Sequence, residues 1–530
     1  MKTKNLFLLF MLVLVPAFFL SAQEEPAEEN TNSFSADDTF YIIEEIEFDV
    51  DGRSRPFALM YHGEFREGEK IWGKENLEKY LANKTQLLLN QRVLEEVTIE
   101  YFTGEENELG AIPVRLLVRI KDSRNFVVLP YPKYDSNEGY SITLKARDYN
   151  FLGTMSTLGL DLGYRQKGSD EKVFSFSFDS DTPFNVFGLN WNFNFDHKIS
   201  YNLGDPLYYQ NITGLSVELP WHRTVFKVGF NHYLTINEEV TDETKDLYDV
   251  EESFYNPYAS LEFYTAWQIP LGVSVADFGE LLYTPKITQM FNYPTSGLDE
   301  PRKPVLSFSH KISFGRTDWL GNLRKEVSAY LGNSYSWYFA RSDAPLQITL
   351  SAGSTVHWPF SKYFSISSRL NYQQWWQWSS RNDEWIPYYY AGDKIRGVID
   401  KYLRSDAILS LNLDLPIRIV RFWPSELFDK PRLKFFDIEI YFSPFLDLAL
   451  LQGSFLNEKT LEYREIDFTF NDMISTTGFE IIVYSGYFRS LKLRGSIGYD
   501  LKQTRKRGTP LKWGFFPDWD EIYVGLDLFY

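Results

Sequence analysis

At 530 residues, with 44 Phe and 35 Tyr, the chain has a mean hydropathy of -0.31, too polar for a bundle of apolar membrane helices. Its formal net charge of -18 weighs against a nucleic-acid partner, because phosphate binders concentrate Lys and Arg. The absence of cysteine excludes disulfides, thiolate metal sites, cysteine nucleophiles and a lipidated N-terminal cysteine.

Lys2 and Lys4 precede an apolar run from Leu6 to Leu20, and Ser21-Ala22 offers a small-residue exit. This predicts a secretory signal over residues 1–22. The run is shorter than the ~20 residues of a spanning helix. No later segment carries a charge-free apolar run of that length, so a mature chain that enters a membrane has to do so as strands. Residues 23–38 are acidic and lack apolar periodicity, as expected of a flexible linker.

A small α+β unit is predicted over residues 39–122. Phe40 to Val50 reads as a strand and Arg55 to His62 as a short helix. A second helix follows, with Leu77, Tyr80, Leu81, Leu87 and Leu88 near helical spacing. Two strands, Val93 to Phe102 and Ile112 to Ile120, flank a turn-rich stretch.

From residue 123 to 530 the texture changes to short alternating segments. Phe187, Leu189, Trp191, Phe193 and Phe195 fall on one face of a strand, and Gly188, Asn190, Asn192, Asn194 and Asp196 on the other. The same alternation runs through Leu158 to Tyr164, Phe174 to Phe178 and Leu409 to Leu415. Aromatic and aliphatic residues opposite Asn, Gly, Ser and Asp predict an all-β transmembrane barrel of about 16 antiparallel strands. Closure suits lipid, where an open sheet edge would leave backbone groups unsatisfied. The acidic stretch Asn237 to Ser253 reads as a solvated loop. Trp375, Trp376, Trp378 and Trp385 read as a membrane-rim cluster.

Several motifs carry a resemblance. The β-α-α-β-β order of the first unit resembles a POTRA domain. Leu129 to Thr154, with Asp148, Asn150 and Gly153 in its turn, resembles the entry into the first barrel strands of the POTRA-plus-barrel superfamily. That superfamily includes BamA-like and TamA-like assembly factors, the mitochondrial sorting and assembly barrel and two-partner secretion transporters, with barrels of the bacterial surface antigen type. Ile395-Arg396-Gly397 is similar to the tip of the loop that folds into the lumen in these proteins, although Val398 replaces the usual aromatic. Phe445, Asp447 and Ala449 match a Phe-x-Asp-x-Gly strand motif, with Ala449 in place of glycine.

The resemblance implies an inward-loop lock in which Arg396 meets Asp447, with Glu480 nearby. An Arg in a narrow lumen keeps its charge, and a carboxylate fits its planar donors. Gly525, Leu528 and Tyr530 fit a C-terminal barrel-targeting pattern. The resemblance further implies a cell outer-membrane location with the N-terminal domain in the periplasm. It implies assembly or translocation of polypeptides there, with unfolded clients, outer-membrane lipid and periplasmic accessory proteins as partners. The second expectation is a diffusion channel or passive surface protein with a periplasmic anchor. Six scattered histidines and the lack of nucleophile-elbow or phosphate-loop motifs give no support to an enzyme, a metal site or a cofactor.

Overall fold

The computed structural model describes residues 40–106, 110–135, 139–167, 171–203, 207–221, 224–238, 254–269, 279–292, 306–338, 346–378, 389–390, 395–397, 403–457, 462–487, 491–501 and 521–528. The signal-sequence and linker readings, nearly all of the acidic loop, Val398, Trp385 and Tyr530 fall outside them. The chain divides into two compact units between Ser123 and Arg124.

In the first unit, β1 (Phe40–Asp51), α1 (Pro56–His62), β2 (Lys70–Trp72), α2 (Lys74–Asn90), β3 (Leu94–Thr103) and β4 (Ala111–Asp122) form a sheet in the order β2-β1-β4-β3. β1 and β4 are parallel, and the other pairs antiparallel. Alternation on β4 buries Val114, Leu116, Val118 and Ile120, and α1 and α2 add the buried Leu59, Leu77 and Leu88. The buried stripe of α2 runs Leu77, Leu81, Lys84, Leu88 and gives Lys84 a core position. Its Nζ donates to the Glu64 carbonyl at 2.5 Å and lies 4.9 Å from the Tyr80 ring centroid, which satisfies the buried ammonium. β2, with only three residues, is too short to show alternation in the sequence. Asp122 clips the β1–α1 turn, accepting from the Ser54 hydroxyl at 2.6 Å and the Arg53 backbone N–H at 2.7 Å.

The second unit is a closed barrel. Antiparallel ladders run from Phe126–Asp135 round to the last described strand, Glu521–Leu528, which pairs back with the first. The short strands Trp267–Gln268, Tyr389–Tyr390, Ile417–Phe422 and Glu462–Ile466 extend or flank longer ones; without them, eighteen staves remain among the described residues. That is a little above the number chain length suggests, because two-residue turns such as Phe187-Gly188 and Gly321-Asn322 take so little chain. Phe187, read above as strand, lies in its turn at φ 56° beside Gly188 at φ 73°. Positive φ at both central positions marks the tight hairpin geometry that matches strand twist.

The alternating rows separate as the barrel requires. Phe193, Leu215, Phe230, Phe263, Ile287 and Leu331 point outward and are exposed. Their neighbours point inward and bond across strands: Asn192 Nδ2 donates to Asp181 at 2.5 Å, Lys227 meets Glu218 at 2.5 Å and Lys286 meets Glu262 at 2.8 Å. An apolar exterior and a hydrogen-bonded polar interior suit a barrel whose outer face meets hydrocarbon.

Candidate functional site: an arginine clamp in the lumen

Three strands build the wall of the site. Alternation turns Asn412 and Asp414 of Leu403–Asp414 inward, Phe445, Asp447 and Ala449 of Ile438–Asn457, and Thr476, Gly478 and Glu480 of Ile474–Ser485. In register, Asn412 faces Asp447 and Phe445 faces both Asp414 and Gly478, so neighbouring inward residues come from three staves. Such clustered carboxylates require a cation.

Residues 395–397 supply it. The Arg396 backbone N–H and Nε both donate to Asp447 Oδ2 at 2.9 Å, and Nη2 donates to Oδ1 at 2.7 Å. Nη1 donates to Asp414 Oδ1 at 2.5 Å and Glu480 Oε1 at 3.0 Å. The guanidinium carbon lies 3.9 Å from the centre of the Phe445 ring, so one face of the cation stacks on an aromatic while its edges meet carboxylates. Asp447 is fully buried and Glu480 nearly so. Arg494 approaches from the next strand and donates to the same Glu480 oxygen.

The flanking residues fix the tip. Ile395 packs with Ile408, Ala449, Leu451, Ile466 and Ile474. Ala449 is 1% exposed and lies in this apolar cluster. Gly397 adopts φ 87°, and a Cβ built there would lie 2.8 Å from the Tyr499 backbone nitrogen. Both the left-handed conformation and the close approach call for glycine.

The other singled-out residues lie apart from this cluster. Asn150 is fully buried in the turn between Gly139–Asp148 and Leu158–Lys167. Its backbone N–H donates to Asp148 Oδ1 at 3.2 Å, and its Oδ1 accepts from the Met155 backbone N–H at 2.9 Å. Gly153 completes the turn at φ 75°. Gly525 is in register with Arg494, and Leu528 with Leu491. Trp376 is exposed near the loop-side end of its strand, Phe364–Trp378.

Beside the clamp is a cavity of about 180 Å³, bounded by Arg396, Asp414 and Glu480 and by Arg324, His357 and Arg369. His357 Nδ1 and Ser367 Oγ share a 2.6 Å hydrogen bond on its wall. Glu326, opposite His357 in register, accepts instead from Thr317 at 2.7 Å and Ser328 at 2.9 Å. Sequence reading missed Asp414 and Arg494 as members of the clamp. The alternation of Leu409 to Leu415 puts Asp414 inward, and that of LKLRGSIGY does the same for Arg494, but neither strand names its opposing charge.

No family model matches the sequence, and no curated protein matches it. Among solved structures, the chain is similar to CdiB from Acinetobacter baumannii, with a TM-score of 0.45 and 11% identity over 92% of this chain and 74% of that one. It is also similar to BamA from Haemophilus ducreyi lacking POTRA domains 1-3, with a TM-score of 0.38 and 14% identity over 92% and 84% of the two chains. For CdiB from Escherichia coli the TM-score is 0.36, with 8% identity over 99% and 97%. What the site does is therefore read from its own geometry.

Proposed function

We propose that this chain is an outer-membrane member of the POTRA-plus-barrel superfamily that assembles or translocates polypeptides. The observation that carries the reading is the seam. Among the described residues, the first and last barrel strands pair only through Tyr134 with Val524 and Asp135 with Tyr523. By contrast, the last strand pairs along its whole described length with Leu491–Asp500, from Glu521 opposite Gly498 to Leu528 opposite Leu491. Among the described residues the seam ladder is thus two pairs long where its neighbour runs to eight, a short join at which an incoming strand can add.

The clamp supports the reading by holding a loop tip against the wall near this seam, and a buried charge network is better suited to fixing one arrangement than to adding stability. In this proposal the N-terminal unit is POTRA-like and receives the client along the outer edge of β3, which pairs only with β4 among the described residues. The client then passes to the seam or the lumen.

The test exploits the natural lack of cysteine. Val524→Cys combined with Tyr134→Cys places a cross-link at the seam. Oxidation is expected to abolish client assembly in cells and reduction to restore it, with either single variant active. Full activity of the oxidised double variant would refute seam opening. A census of outer-membrane proteins after depletion separates the client classes: broad loss of barrels supports an insertase, and loss of one exported protein supports a dedicated transporter. An unchanged census, together with steady conductance that survives deletion of residues 40–121, supports the diffusion channel instead.

A further inference from the structure

The connection between Ile417–Phe422 and Ile438–Asn457 is far longer than the two-residue turns at its end of the barrel. Where Leu320 to Leu323 and Ser361 to Phe364 turn in two residues, residues 423–437 form a helical turn, Pro424–Leu427, and a 3-10 segment, Pro431–Phe436. The segment is tied at its base. The Ser425 backbone N–H donates to Asp437 Oδ1 at 3.0 Å, the Ser425 hydroxyl donates to Asp437 Oδ2, and the Gly486 N–H donates to the Asp437 carbonyl at 2.8 Å. Asp437 is 1% exposed. The knot presents an apolar surface: Leu427 is 70% exposed, and Phe428, Phe435 and Phe436 are nearly as open.

A soluble protein seldom leaves so many large apolar side chains together on a braced loop. Two features identify what covers them. First, the patch continues the outward face of the barrel: Phe422 and Val420 on the strand leading into it are exposed, as are Phe360 and Phe364 at the neighbouring turn, whose rings stack at 5.4 Å. Second, Lys430 and Arg432 are exposed in the same segment. The Arg421–Glu426 pair at 3.1 Å and the buried Asp437 commit two of its acids, leaving Asp429 as the remaining one, so the free charge is basic in a chain of net charge -18. Aromatics at headgroup depth with adjacent Lys and Arg are the chemistry of an interfacial anchor on anionic lipid.

We propose that residues 422–436 are a foot on the membrane surface, with Leu427, Phe428, Phe435 and Phe436 inserted at headgroup depth and Lys430 and Arg432 engaging anionic phospholipid headgroups. The inference rests on the barrel spanning a membrane. It fixes the turn-bearing end of the barrel to one leaflet beside the strands that form the clamp.

Full-length protein carrying Phe428→Cys, labelled with an environment-sensitive fluorophore and reconstituted in phosphatidylglycerol-containing vesicles, provides the test. Leu331→Cys, at an outward mid-strand position and read with a nitroxide carried in the acyl chains, reports on the barrel itself. Lipid-borne nitroxide at headgroup depth is expected to quench the label at 428, with aqueous iodide ineffective. That quenching should be lost in the Lys430→Gln/Arg432→Gln variant and in vesicles of neutral lipid alone. Quenching by iodide and not by nitroxide at 428, with lipid quenching intact at 331, overturns the foot and leaves the barrel standing. Protection from both quenchers at 428 means that protein covers the patch, which also overturns it. Quenching unchanged by the basic-residue variant and by neutral lipid removes the headgroup assignment. Loss of lipid quenching at 331 overturns the membrane reading on which the foot depends.

Discussion

Two walls of the same barrel solve the problem of an inward polar face differently. From Leu189–Asn202 round to Leu323–Trp337, inward side chains such as Asn192, Glu218, Lys227 and Glu262 are half-buried and pair across strands. In Leu403–Asp414, Ile438–Asn457 and Ile474–Ser485, the inward residues Ser410, Asp447 and Thr476 are wholly buried, and Glu480 almost wholly. The Ser410 and Thr476 hydroxyls have no hydrogen-bond partner among the described residues. A wall that buries carboxylates and leaves hydroxyls unsatisfied is poorly explained by stability alone. The difference teaches that the second wall is shaped around the loop tip, while the first is a generic wet surface.

The sharpest way to break the comparison is Arg396→Ala. It leaves Asp447, Asp414 and Glu480 clustered without their shared cation, and removal of one partner from a buried pair costs about 3–5 kcal/mol. The urea midpoint of the folded barrel in micelles should fall accordingly, and protease should newly cut at the tip, residues 395–397. A midpoint equal to that of the unaltered protein would show that the clamp holds nothing. Exchange of charge through Arg396→Asp with Asp447→Arg is not expected to rescue, because Asp414 and Glu480 would then face a new carboxylate. The acids should instead rank by their bonds. Asp447→Asn, which weakens three donors from Arg396, should cost most, Glu480→Gln, shared by Arg396 and Arg494, less, and Asp414→Asn least.

A smaller effect is expected from Gly397→Ala. The left-handed backbone and the approach to Tyr499 together cost about 1–3 kcal/mol. The charges stay in place, so the variant asks whether the tip's geometry matters apart from its cation. A drop in client assembly larger than the drop in urea midpoint would place the cost in the loop's position.

The same contrast explains what could be read in the sequence. Strands such as Leu158–Lys167 and Leu189–Asn202 were legible because one-sided burial writes a period of two into the chain, and α2 because its buried stripe writes a helical one. Residues 422–437 break alternation without offering another period, so the braced aromatic segment was invisible until its exposure could be seen. Arg396, Asp447 and Glu480 were named through motif resemblance, and the structure brings the three together. Asp414 and Arg494 were not assigned to the clamp, because alternation specifies a face while the opposing charge depends on register across staves far apart in sequence.

The smallest expected effect tests the opposite wall. Lys286 and Glu262 meet at 2.8 Å, but 40% of the lysine side chain is open to solvent. Water screens such a pair and flexibility taxes it, so Lys286→Gln should change stability by less than about 1 kcal/mol. The shift should shrink further as salt is raised, because exposed charges are screened over about 10 Å at 0.1 M salt. The Arg396→Ala loss should persist under the same salt, since its carboxylates are buried. If the two variants instead lose comparable stability with the same salt dependence, the walls share one electrostatic environment, and the distinction between a clamp and a wet surface fails.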